Sequence, residues 1–112
     1  MTQKLRKLFP LLLLVAFTIS AQAAVYDVRT FGAAGDGVHI DSPAINAALE
    51  KAARDGGGTV ILPPGIYLSY SLHLQSNVTL RVEKGATLKA APVTDTQGYD
   101  EAEPNDSHYQ DF

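Results

Sequence analysis

From Ile66 to Ala90 the chain keeps the period of two that belongs to β-strands, and keeps it only in short stretches. Thr59-Val60-Ile61-Leu62 is a brief apolar run stopped by Pro63-Pro64-Gly65. Ile66, Leu68, Tyr70, Leu72 and Leu74 then alternate with Tyr67, Ser69, Ser71 and His73. Beyond Gln75-Ser76-Asn77, the residues Val78, Leu80 and Val82 alternate with Thr79, Arg81 and Glu83. Beyond Lys84-Gly85, Ala86, Leu88 and Ala90 alternate with Thr87 and Lys89. Alternation of this kind puts one face of each strand in a core and the other in water. The apolar set, Ile66, Leu68, Tyr70, Leu72 and Leu74, is the one expected inside. An echo of Val78-Thr79-Leu80 in Ala86-Thr87-Leu88 suggests repetition. Short strands with varied turns fit a stacked β-solenoid or a small sandwich, and spacing leaves both open.

One helix precedes these strands. Asp41 or Ser42 can accept the free amides of a first turn, and Pro43 suits the first helical position because its missing N–H would be unpaired there anyway. Ile45, Ala48, Leu49 and Ala52 recur at helical spacing and make one apolar face. Glu50 and Arg54 stand four apart on another face, and Gly56-Gly57-Gly58 ends the helix. Ahead of it, Val25–Val28 is a short strand candidate. Gly32, Gly35 and Gly37 then imply a backbone that turns sharply or uses positive φ. Neither phosphate-binding pattern survives inspection. Val38 and His39 stand where a Walker A loop needs Lys and Ser/Thr, and Ile40 stands where a dinucleotide fingerprint needs its third glycine. No cofactor is assigned.

The first residues read as a targeting segment. Lys4, Arg6 and Lys7 precede an apolar run, Leu8 to Ile19, broken only by Pro10 and Thr18. Ala21-Gln22-Ala23 then supplies small residues for cleavage between Ala23 and Ala24. A bilayer span needs roughly 20 apolar residues, so the run is too short for one. The expectation is a secreted or periplasmic protein with no membrane association after cleavage. With no cysteine in the chain, a disulfide framework and a cysteine-based zinc site are excluded.

The formal net charge is −3. Residues 24–92 balance six basic side chains against six acidic ones, whereas residues 93–112 carry Asp95, Asp100, Glu101, Glu103, Asp106 and Asp111 with no Lys or Arg. The tail is read as a solvated acidic loop, and its spacing does not match a calcium loop, so no metal is assigned. With no basic stripe, nucleic acid is excluded as a partner.

Three blocks, in order, resemble the pectin-lyase-like right-handed β-helix superfamily. The first is Tyr26-Asp27-Val28 through Phe31-Gly32-Ala33-Ala34-Gly35-Asp36-Gly37 to Asp41-Ser42-Pro43-Ala44-Ile45-Asn46-Ala47-Ala48-Leu49. The second is Gly57 to Tyr67, and the third is Asn77-Val78-Thr79-Leu80 with Gly85-Ala86-Thr87-Leu88. Within the superfamily the chain is similar to bacterial polygalacturonase-type enzymes of glycoside hydrolase family 28. Tyr109-Gln110-Asp111-Phe112, after Glu103-Pro104-Asn105, resembles a segment some of these carry before the next coil.

The resemblance implies a mainly β chain. Residues 1–23 would be the signal peptide, and residues 24–92 the N-terminal cap helix and first one or two coils of a right-handed parallel β-helix. Residues 93–112 would be an acidic loop toward the remainder. It marks Gly32, Gly35, Asp36, Gly37, Asp41, Pro64 and Gly65 as structural motif residues, with Asp36 and Asp41 as turn and helix-cap carboxylates. His39 and His73 are expected as surface or strand residues. Tyr67, Tyr70 and Tyr99 are expected to pack, though such rings also stack on sugars.

The implied activity is hydrolysis of α-linked galacturonic acid or related pectin sugars with inversion, the partner of the full-length protein being an acidic plant-type polysaccharide. An inverting pair needs carboxyl groups roughly 6.5–9.5 Å apart across a groove. The family's Asn-Thr-Asp, Asp-Asp, Gly-His-Gly and Arg-Ile-Lys strings do not occur here, so no catalytic residue is assigned. The chain is therefore expected to be the N-terminal portion of such an enzyme, inactive alone. The alternatives are a non-catalytic carbohydrate-binding or adhesin-like module, and a lyase or epimerase of the same superfamily.

Overall fold

The computed structural model describes residues 24–93 and 98–102. The expected signal segment, including Ala23, and the Glu103–Phe112 segment lie outside the described residues.

Among the described residues the elements follow in the order β1 (Val25–Asp27), a 3-10 turn (Val28–Phe31), β2 (Asp36–Ile40), α1 (Ser42–Arg54), β3 (Gly58–Leu62), β4 (Gly65–Ser69), β5 (Val78–Val82) and β6 (Ala86–Ala90). One sheet has the order β1-β3-β5 and the other β2-β4-β6, with every pairing parallel. Neighbours in each sheet are thus alternate strands of the sequence, and the chain winds from one sheet to the other and back. That topology decides for the stacked solenoid over the sandwich.

The stack is three coils deep, against the one or two expected. The coil that spacing alone does not reveal is the first, because β2 reads as a glycine turn. Its residues are mostly exposed, and its register to β4 is broken by a bulge between Asp36↔Ile66 and Ile40↔Leu68. The echo between β5 and β6 is not the stacking repeat either, since these are two sides of one coil. The true repeat sets Val60 beside Leu80, Leu62 beside Val82 and Tyr67 beside Leu88.

A second correction concerns β4. The alternation from Ile66 to Leu74 suggests one long strand with Ile66 and Leu68 inside; the strand ends at Ser69, and Leu68 is buried, but Ile66 is 46% exposed and Tyr67, of the opposite set, is fully buried. Period two fixes which residues share a face, not which face is inside. Past Ser69 the backbone is diverted by α1. Ser42 Oγ accepts from the Tyr70 N–H (3.1 Å), Asn46 Oδ1 accepts from the His73 N–H (2.8 Å), and Asn46 Nδ2 donates to the Ser71 carbonyl (3.1 Å). Peptide groups that would pair with a neighbouring strand are bound to helix side chains instead.

Ala44, Ile45, Ala48, Leu49 and Ala52 form the buried face of α1. They join Val28 and Ala33 of the first coil, and Val60, Leu62 and Tyr67 of the second, in one core cluster. The helix stops where Gly57 N–H bonds to the Ala52 carbonyl (2.8 Å) and Gly56 N–H to the Ala53 carbonyl (3.1 Å). Its surface ion pair is Lys51–Asp55 at 3.0 Å rather than the expected Glu50–Arg54. Along the stack the inward stripe opens: Leu62 is fully buried and Val82 is 44% exposed, while Tyr67 gives way to Leu88 at 38%.

Candidate functional site

The glycine-rich segment after β1 and the proline corner after β3 meet at one point, and the motif residues converge there. Asp41 immediately precedes α1, but its side chain makes no cap bond to the helix. Instead the buried carboxylate accepts from Ala34 N–H (2.8 Å) and Gly35 N–H (2.9 Å), one amide on each oxygen. This corrects the helix-cap role expected for Asp41. The reason is geometric: backbone φ −102° and ψ −4° at Asp41 are helical, whereas a capping residue needs an extended backbone.

The loop held by Asp41 packs on β4. Gly35 carbonyl accepts from Ile66 N–H (3.0 Å), and a Cβ at Gly65 would stand 2.8 Å from that same carbonyl oxygen. Gly35 lies at φ +63° against the Tyr67 ring, where a Cβ would come within 3.2 Å. Only glycine permits both approaches. Tyr67 Oη donates to the Pro63 carbonyl (2.6 Å) and accepts from Arg29 Nε (3.3 Å), while Arg29 Nη2 donates to the Pro64 carbonyl. Gly32 closes the 3-10 turn in the left-handed region, and Gly37 lies against Ile66. All these groups are spent on one another. Asp41 has both oxygens bonded to backbone amides, and the knot holds the first coil to the second.

Asp36 sits at the start of β2 as a turn carboxylate. It accepts from the Val38 and His39 N–H groups (3.0 Å each), and His39 Nδ1 lies 2.5 Å from its other oxygen. The His39 amide first, then the Val38 amide, then the His39 ring hold its carboxyl well below the usual carboxylate range. Such a group contributes stability above its unfolded pKa of about 3.9, and that contribution is lost as pH falls through the lower folded value. Asp36→Asn is therefore expected to flatten the loss of stability below about pH 4. Thermal melts of both proteins across this range check it, and identical acid slopes would count against it. At the far end of α1, Tyr26 Oη donates to Asp55 (2.6 Å); that bond, then Lys51, lowers the Asp55 pKa, and the same carboxylate raises that of Tyr26.

A second cluster lies on the β4–β5 connection. The Tyr70 and Tyr99 rings meet edge to face with centroids 4.9 Å apart. Tyr99 Oη donates to the Ala91 carbonyl (2.6 Å), Asp100 N–H donates to Ser71 Oγ (2.9 Å), and His73 Nε2 lies 2.8 Å from Asp100 Oδ2. A cleft of about 480 Å³ is lined by Val93, Tyr99, Asp100, Glu101 and Ala102. A smaller one of about 280 Å³ is shared between Tyr99, Tyr70 and the ends of β4 and β6. Asp100 and Glu101 are chain neighbours and Asp100 is engaged by His73, so the pair is not the opposed couple that inversion requires. His39 and His73 are both exposed, each bonded to one carboxylate. Tyr67 is core, and Tyr70 packs on Tyr99. Sequence reasoning missed Arg29, Asn46 and Ser71, and gave Ser42 a helix-capping role where its hydroxyl accepts from the Tyr70 N–H. Ser42 and Asn46, four apart on α1, carried a readable signal as a polar pair beside an apolar face.

Residues 25–110 match the family described as rhamnogalacturonase A/epimerase, pectate lyase-like. The mannuronan C5-epimerase AlgE6 of Azotobacter vinelandii is 60% identical over 42 residues, which are 38% of this chain and 5% of the relative. Among solved structures, the family 28 exopolygalacturonase of Yersinia enterocolitica superposes with a TM-score of 0.59 at 36% identity, over 64% of this chain and 12% of that one. PfbA, a surface adhesin of Streptococcus pneumoniae, does so with a TM-score of 0.55 at 39% identity, over 58% of this chain and 15% of that one. The chain spans a small part of each of these proteins.

Proposed function

The chain belongs to the rhamnogalacturonase A/epimerase, pectate lyase-like family, and on that premise we propose that it is the N-terminal portion of a secreted polysaccharide-processing β-helix protein of polygalacturonase type. Residues 1–23 act as a signal cut between Ala23 and Ala24, residues 24–92 form the cap helix and N-terminal coils, and residues 93–112 lead toward further coils. The protein is exported, to the periplasm or beyond. The observation that carries this reading is a coil stack whose motif residues are bonded to one another as a structural knot. Such a unit starts a solenoid and leaves catalysis to later coils.

The substrate class is an acidic polysaccharide. The exopolygalacturonase and the mannuronan epimerase are both named for polymers of uronic acids. Hydrolysis of α-linked galacturonate by inversion is the first reading. Epimerisation is the second, supported by the 60% identity over 42 residues to AlgE6. Likeness to an adhesin supports a third, binding without turnover.

Incubated with polygalacturonate or mannuronan, this chain is expected to release no reducing ends, form no unsaturated uronate and invert no C5 centre. Reducing ends released by the purified chain would overturn the assignment of catalysis to later coils. Saturable binding of uronate oligomers without product would favour the adhesin-like reading. Sequencing the reading frame beyond Phe112 separates the first two: an Asn-Thr-Asp string on a following coil supports the hydrolase, and its absence from further coils supports the epimerase.

A further inference from the structure

Residues 98–102 touch the rest of the molecule in a manner unlike any strand of the stack. The strands are held by ladders of backbone bonds and an apolar interior. Among the described residues, the 98–102 segment is held by one ring and a few polar contacts to residues 69–73 and 91. Gly98 lies under the Tyr70 ring, so closely that a Cβ there would stand 2.6 Å from it. Tyr99 sets its ring against Tyr70 and its hydroxyl on the buried Ala91 carbonyl. Asp100 adds its N–H to Ser71 Oγ and its carboxylate to His73. Glu101 and Ala102 are exposed.

Tyr99 also has a position of consequence. It is one wall of the cleft of about 280 Å³ whose other walls are Ser69, Tyr70, Leu72, Leu88, Lys89 and Ala90, at the C-terminal ends of the paired strands β4 and β6. We infer that residues 98–102 form a latch, which packs Tyr99 against the C-terminal ends of β4 and β6 and releases without unfolding the coils. A contact set of this size opens locally at a small part of the global unfolding free energy, because it covers little apolar surface and has no ladder to break. In the released state the Tyr70 ring and the Ala91 carbonyl lose their Tyr99 partner.

Native-state amide exchange on the full chain tests the latch. In the parent, the Asp100 amide is expected to exchange roughly tenfold slower than a free-chain amide, and far faster than the amides of Val60, Ile61 and Leu62 in β3. Ser71→Ala removes its acceptor and is expected to speed Asp100 exchange roughly fivefold to tenfold with the β3 amides unchanged. His73→Gln, at an exposed side chain whose backbone bond to Asn46 is retained, is the second variant and is expected to act in the same direction. Protection lost at Asp100 alone in either variant supports the latch. Free-chain exchange of Asp100 in the parent overturns it, as does exchange at Asp100 and β3 that rises together in both variants.

Discussion

Replacing Tyr67 with alanine is expected to cost about 3–5 kcal/mol of stability, a large part of what a small domain has. The ring is fully buried in the second coil between α1 and both sheets, so its removal forfeits transfer energy and leaves a void. The loss goes beyond packing. Without Oη, Arg29 Nε loses its acceptor and the Pro63 carbonyl loses its donor, and without the ring, Gly35 loses the surface against which its loop is set. Tyr67→Phe isolates the hydroxyl and is expected to cost about 1 kcal/mol. Urea titration of the three proteins checks both values. An alanine variant within 1 kcal/mol of the parent would mean that the Tyr67 side chain is not part of the core.

The second large effect is expected at Asp41. Asp41→Ala removes two charge-assisted bonds and leaves the Ala34 and Gly35 amides without their acceptor, a loss of about 3–5 kcal/mol. Asp41→Asn is the sharper test. Its shape is unchanged, but a carboxamide presents one oxygen and one N–H₂, so one of the two backbone donors faces another donor. An intermediate loss is therefore expected, again read from urea midpoints. If the asparagine variant matched the parent, acceptance by both oxygens would not be what holds the loop. Both substitutions act on the joint between the first and second coils, so their effects are expected to be non-additive in the double variant.

These two side chains also show what the sequence does and does not reveal. The helix was legible because Ile45, Ala48, Leu49 and Ala52 repeat at its period, and all four are buried. β3 was legible as a short apolar run, and β5 and β6 as short alternating ones, each bounded by turn residues. The inside face of β4 was not, since alternation carries no sign. What assigns the sign is the stacking partner: Tyr67 stands in register with Leu88, and Ile66 with Thr87. β2 was hidden because a strand of an outer coil, mostly exposed and bulged, needs neither apolar alternation nor freedom from glycine. Asp41 was placed correctly in the chain and wrongly in its bonding. A carboxylate beside a helix start looks like a cap, and nothing local says that amides six and seven residues earlier claim it instead. The strings that carry catalysis in the resembled enzymes do not occur in this sequence.

The two corners between the sheets differ in length. Pro63 and Pro64 link β3 to β4, while Glu83, Lys84 and Gly85 link β5 to β6. The stack absorbs the extra residue without losing register, since Leu62 still pairs with Val82 and Gly65 with Ala86. The corners are thus where the molecule tolerates edits to its length, and the strands are where it does not. A residue inserted beside Lys84 lengthens a turn, whereas one inserted between Thr79 and Leu80 reverses every side chain to one side of it. For anyone grafting a loop or a tag into a protein of this build, the corner facing water is the permissive address, and five-residue strands are the reading frame that must be left intact.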